Sequence, residues 1–400
     1  METPLPARPP ALRPLFVVVT FLTVACLGIA SSPPAVAQVR PEDGTSPADI
    51  ARKADDRLKP VATFDQQVTG VTVSETGRIF VSFPRWTEDV AVSVGEVQRD
   101  GSIKPYPDEQ WNSWRTARKD EVRASTHFVA VQSVVADGRG SLWVVDPAAP
   151  NAEKTIEHGP KIVQIDLVTN TVRRAYLVPA DVAGPTSYLN DIRIAPDGKY
   201  AYVTDSGVPG GLVVLEIGSG KSWRALSDAA PTKADPGVTV TTDGQALRRP
   251  DGQPPVFNAD GIALSPDGAF LYWQALTGKT LYRIATALLK TPSPQGLEDR
   301  VEKVAETEPV DGLWMDRSGR LYLSSLADNA VKALEPDGKR RTIVADPRLR
   351  WPDTLAEGPD GTLYVTASRI QDSPWFHRTG WQGNGFTLFS FRPDTEPGSR

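Results

Sequence analysis

A single cysteine, Cys26, occurs in 400 residues, together with only two methionines and three histidines. One thiol cannot form an intrachain disulfide, and no CxxC or HExxH spacing is present to hold zinc. No G-x-S-x-G nucleophile elbow occurs either. Positive charge is not in excess: 44 Lys and Arg face 49 Asp and Glu, a net charge of −5. With no basic stripe, a nucleic-acid partner is not expected. What is abundant is proline (36) and glycine (32), a composition suited to many turns and few long helices.

The N-terminus has the form of a secretory leader. Arg8 and Arg13 precede an apolar stretch over 15–30, and a small-x-small pattern follows at Ala35-Val36-Ala37. At about 16 residues the stretch is short for a membrane span, which needs roughly 20. Cleavage before Gln38 would remove Cys26 and leave a mature chain without thiols, secreted or periplasmic and with no membrane contact. The expected order is a leader (1–37), a polar lead-in (38–61), one large domain (62–392) and a frayed tail (393–400).

Within that domain one phrase recurs six times. The copies are TGVTVSETGRIFVSF from Thr69, QSVVADGRGSLWVVD from Gln132, NDIRIAPDGKYAYVTD from Asn190, DGIALSPDGAFLYWQ from Asp260, DGLWMDRSGRLYLSS from Asp311 and DTLAEGPDGTLYVTA from Asp353. Each reads as two strands joined by a tight turn whose glycine supplies a positive φ. Six such units at intervals of 42 to 70 residues predict an all-β fold, a six-bladed β-propeller. A strand near Phe64 is expected to close the ring against residues 387–391, because closure removes open sheet edges. The longest interval, between Asn190 and Asp260, predicts an excursion over one mouth of the ring. GSGKS at 218–222 resembles a phosphate loop, but Leu215 stands where that motif needs glycine, so a hairpin turn is expected. The tryptophans read mostly as packing, with Trp375 and Trp381 candidates for a mouth.

Counting back eight residues from each turn glycine gives Thr69, Gln132, Asn190, Asp260, Asp311 and Asp353. All six carry side-chain oxygen in otherwise apolar contexts. If the blades superpose, these side chains gather near the axis, where like charges need a cation or donors to neutralise them. Carboxylate and amide oxygens suit hard cations, Ca²⁺ first among them. The alternative is that each Asp or Asn only shapes its own turn.

At these residues the chain resembles the major royal jelly protein/Yellow family. RIFVSFPRW (78–86), PYPDEQWN (105–112), LWVVD (142–146), AYVTDSGVPGGLVVLEIGSGKSWR (201–224) and GIALSPDGAFLYW (261–273) carry the likeness. The resemblance implies a secreted six-bladed propeller, related in structure to senescence-marker/gluconolactonase enzymes. Those hold a divalent cation with a Glu, two Asn-type positions and an Asp. By that likeness Asn190, Asp260 and Asp311 would be metal ligands, with Asp311 also the catalytic base. Gln132, Asn190 and Asp353 would be ligand-binding. Thr69 replaces the Glu, a departure that weighs against both metal and lactonase chemistry. Three functions follow: capture of a small, cationic ligand at an acidic mouth, favoured here; metal-dependent hydrolysis of lactones or esters; and a structural secreted module. A monomer with a small-molecule partner is expected.

Overall fold

Each of the six phrases forms the two innermost strands of a four-stranded antiparallel sheet in the computed structural model. The structure describes residues 53–86, 90–292, 295–379 and 385–394. The leader, residues 38–52 of the lead-in, Trp381 and residues 395–400 lie outside them.

The innermost strands are Val71–Val73, Ser133–Ala136, Leu189–Ile194, Ala259–Leu264, Val310–Met315 and Pro352–Glu357, taken here as blades 1 to 6. They touch one another in chain order, and the last touches the first, which is the ring of a β-propeller. All six turn glycines have positive φ, from +69° at Gly198 to +86° at Gly319. That conformation costs other residues strain, which explains glycine at each turn.

Blade 6 is completed from the other end of the chain. Lys59–Phe64 pairs with Phe386–Phe391, Phe64 opposite Phe386 and Thr63 opposite Thr387. The expected closure is present, but it begins at Lys59 rather than Ala62. The end of the lead-in is tied down as well: Asp55 N–H donates to Asp346 Oδ2 at 2.7 Å, and Arg348 Nη2 donates to Leu58 O at 3.2 Å. The GSGKS stretch is the turn between Gly211–Glu216 and Lys221–Ala225, with Gly220 at φ +81°.

Apolar side chains fill the spaces between blades. Trp143, Val145, Ile162, Val203 and Val213 join blades 2 and 3, and Leu212, Val214, Ile262 and Trp273 join blades 3 and 4. Near the axis the contacts are tighter than side chains allow. A Cβ on Gly261 would lie 2.2 Å from Asp311 O, and one on Gly312 would lie 2.2 Å from Asp353 O. The Asp-Gly pairs that open two phrases therefore need glycine for close approach of the next blade, not for a turn.

Hydroxyls stitch the inner ring. Ser82 Oγ accepts from Gly70 N–H in its own blade at 3.1 Å and donates to Gln132 O in the next at 3.0 Å. Thr366 Oγ1 does the same, from Thr354 N–H at 3.2 Å to Thr69 O at 2.6 Å. Thr204 repeats it between Asp191 and Asp260.

Candidate functional site

In blades 3 to 6 the pairing of the two inner strands slips at the start of each phrase, between Leu189 and Ile192, Ala259 and Ile262, Val310 and Leu313, and Pro352 and Leu355. Such bulges re-aim side chains. Here they fall on Asn190, Asp260, Asp311 and Asp353, none of which is more than 8% exposed.

Gln132, Asn190, Asp260 and Asp311 line one cavity of about 250 Å³ at the mouth where the innermost strands begin. Thr69 and Asp353 are not among its lining residues. The Thr69 hydroxyl is spent between blades, donating to Gln132 O at 3.0 Å. Asp353 accepts from Thr354 Oγ1 at 3.2 Å, while its Oδ2 is buried without a hydrogen-bond partner.

The floor is an acid pair. Burial, then the charges of Asp311, Asp191 and Asp353, push the Asp260 carboxyl well above its ordinary value. Asp311 is pushed up to about 7, chiefly by burial, with the Trp351 indole opposing the rise. Trp351 Nε1 donates to Asp311 Oδ2 at 2.6 Å. Two carboxyls that shift one another titrate as a pair rather than singly. Neither Asp260 nor Asp311 bonds to a backbone N–H of its own turn among the described residues, so turn-shaping does not account for them.

Aromatic rings make the walls. Trp86 Nε1 donates to Tyr188 OH at 2.8 Å, and Tyr188 OH donates to Gln132 Oε1 at 2.9 Å. Trp86 also packs on Trp375, ring centres 4.6 Å apart. Phe257 and Trp351 complete the apolar side. Asn190 Nδ2 donates to Ser206 Oγ at 3.1 Å, and its amide oxygen accepts no hydrogen bond among the described residues. Asp205, the last residue of the third phrase, holds this edge: it accepts from Tyr188 N–H at 2.7 Å and from Arg224 Nη1 at 2.6 Å.

The excursion after blade 3 reaches across the mouth as a strap. Its tip is a hairpin, Thr241–Thr242 with Gln245–Ala246, turned at Asp243 and Gly244. Asp243 accepts from Arg350 Nη2 at 2.7 Å, Asn329 Nδ2 at 3.0 Å and Gln371 Nε2 at 3.1 Å. Val240 and Leu247 of the strap pack with Leu326, Trp351 and Ile370.

At the other end the bore is closed. Arg193 crosses it from blade 3, donating to Ile192 O at 2.7 Å and to Leu313 O of blade 5 at 2.6 Å. Its guanidinium lies 5.5 Å from the Trp314 ring centre. Its charge favours the ionised form of buried Asp191, two residues away.

A divalent cation does not fit these donors as arranged. Ca²⁺ takes about six to eight oxygens. Here the cavity offers only Gln132, Asn190, Asp260 and Asp311, Asp311 Oδ2 already accepts from Trp351, and the Thr69 hydroxyl is spent between blades. Among the described residues no three His, Cys, Asp or Glu side chains group as metal ligands. Asn190, Asp260 and Asp311, expected from the sequence as a metal set, do line the cavity together.

Sequence reasoning missed Trp351, Tyr188 and the latch at Asp243. Each acts through a partner more than forty positions away or on another blade, which no local pattern records. Only the length of the excursion was a signal.

Several known proteins are similar to this chain. Protein yellow of Drosophila erecta is 26% identical over 233 residues, which cover 53% of this chain and 40% of that protein. Protein yellow of Drosophila melanogaster gives the same identity and coverage. The aligned part is thus about two fifths of the length of these relatives. Among solved structures, a luciferin-regenerating enzyme covers 86% of this chain and 97% of its own at TM-score 0.51 and 13% identity, a likeness of fold alone. A gluconolactonase from Xanthomonas campestris superposes at TM-score 0.47 with 14% identity, over 84% of this chain and 96% of its own. The profile of the major royal jelly protein family matches residues 129–373, more than half of the chain, and the chain belongs to that family.

Proposed function

We propose that this propeller captures a small organic cation at its axial mouth. One observation carries the reading: an aromatic-walled cavity ends on the Asp260–Asp311 pair. Aromatic faces attract cations, and a carboxylate held out of water gains more from an ammonium than an exposed one does. An ammonium replaces a carboxyl proton as counter-charge, so binding releases a proton. The metal-dependent lactonase reading has no such support, because its cation lacks a donor set.

The leader-like N-terminus supports export of the mature chain, with Gln38 as its first residue. N-terminal sequencing of the protein made by its own cell tests that part.

Calorimetric titration at pH 8 tests the site. Tyramine, a phenol with an ammonium arm, is expected to bind at least about tenfold more tightly than neutral 4-ethylphenol, a gap of about 1.4 kcal/mol. Asp311→Asn should remove the difference. Equal affinity for the two probes, or heat with Ca²⁺ and none with tyramine, overturns the reading.

A further inference from the structure

Arg249 stands on the strap and lines the same cavity as Asp260 and Asp311. It is exposed at the mouth, whereas the acid pair is buried at the floor. Its backbone is fixed on both sides. Arg249 N–H donates to Gln253 O at 2.8 Å, and Gly252 N–H donates back to Arg249 O at 2.8 Å. The carbonyl of the next residue, Pro250, accepts from Arg378 Nε at 3.1 Å. The strap beneath is held by Asp243.

The other arginines of this face are occupied. Arg350 pairs with Asp243 and Asp372, and Arg378 with Pro250 O. Among the described residues the Arg249 guanidinium forms no hydrogen bond or ion pair that would explain its place. An arginine with a fixed base and a free fork is suited to a carboxylate or phosphate, which it can meet with two parallel N–H bonds. Glu153 also lines the mouth, and it too has no ion pair with Arg249.

We infer that the ligand is two-ended, with an ammonium at Asp260 and Asp311 and an anionic group at its far end facing Arg249. This rests on the cationic-ligand reading and narrows it. The two charges must sit at opposite ends of a flat apolar body, because the acid pair lies at the bottom of the cavity and Arg249 at its lip. An α-amino acid, whose charges share one carbon, does not meet that demand.

The test compares two probes on the full mature chain at pH 8. Both 4-(2-aminoethyl)benzoate and tyramine carry an ammonium arm on a ring; only the first has a carboxylate at the far end. The wild type should favour the benzoate by about three- to tenfold, the range of an exposed to well-formed charged hydrogen bond. Arg249→Gln should bring that ratio to about one or below, and Arg249→Lys should restore part of it. Glu153→Gln should raise it by removing a like charge from the anion's path. An unchanged ratio in Arg249→Gln, or no preference in the wild type while tyramine still binds, overturns the two-ended ligand alone. Binding of neither probe overturns the cationic reading and this inference together.

Discussion

The indole of Trp351 and the carboxylate of Asp311 meet at 2.6 Å, across two neighbouring blades, both side chains buried. This contact makes the acid pair unequal. Asp311 receives a donor that Asp260 does not, so Asp311 is the member that ionises first. In Trp351→Phe that donor is gone and Asp311 should titrate higher than its present value of about 7. The midpoint of tyramine binding against pH should move upward, measured calorimetrically between pH 5.5 and 9. The variant should also lose about 1–3 kcal/mol of stability from an unpaired buried acceptor and a smaller ring. A structural role alone would lower stability without moving the midpoint.

Affinity for a cation should fall as pH drops through about 7, because protonation of Asp311 neutralises the floor. The loss should approach tenfold per pH unit below that point. A flat profile from pH 5.5 to 8 would remove Asp311 from the anchor role.

Stability should show the same groups with the opposite sign. The folded Asp311 value lies above the ordinary 3.8, so between roughly 3.8 and 7 the folded state holds more protons than the unfolded one. Asp260 and Asp353 are raised in the same direction, chiefly by burial. The Asp311 part of the stability is therefore present below about 3.8 and lost as pH rises to about 7, and the other two act in the same direction. Thermal melts from pH 4.5 to 8 should decline in the wild type and decline less in Asp311→Asn.

Gly261→Ala and Gly312→Ala should each cost about 3 kcal/mol or more, since each new methyl meets the next blade's carbonyl at 2.2 Å. Gly338→Ala is the control: its φ is +84°, but nothing lies within 4 Å, so the cost should be about 1 kcal/mol. Urea midpoints compare the three. Similar costs at all three would mean that the inner ring can relax.

Asp243→Ala should free the strap. Tyramine should dissociate several-fold faster in stopped flow, while the main thermal transition stays within about 2 °C because the blades are untouched. The bonds from Arg350, Asn329 and Gln371 hold Asp243 below its ordinary value in spite of burial, so the latch persists to below the usual carboxylate range.

The architecture was legible because it repeats. Six turn glycines and six alternating strand pairs state a period, and the closing strand near Phe64 followed from the need to hide an edge. The column of polar residues was legible for the same reason, as a fixed offset of eight from each glycine. What each member does was not. Thr69 and Asp311 occupy the same place in the repeat, yet one hydroxyl ties two blades while the other side chain meets Trp351. That difference is set by which neighbour each blade happens to present, and the repeat carries no record of it. The place of Arg193 was hidden similarly: nothing in NDIRIAPDGKY separates a surface arginine from one laid across the bore.

The Arg193–Trp314 stopper turns the ring from a pipe into a cup. A molecule taken in at the strapped mouth would then be expected to leave by that mouth. If the mouth captures a ligand as proposed, its retention time should be set at the Asp243 latch of the strap rather than at the acid pair.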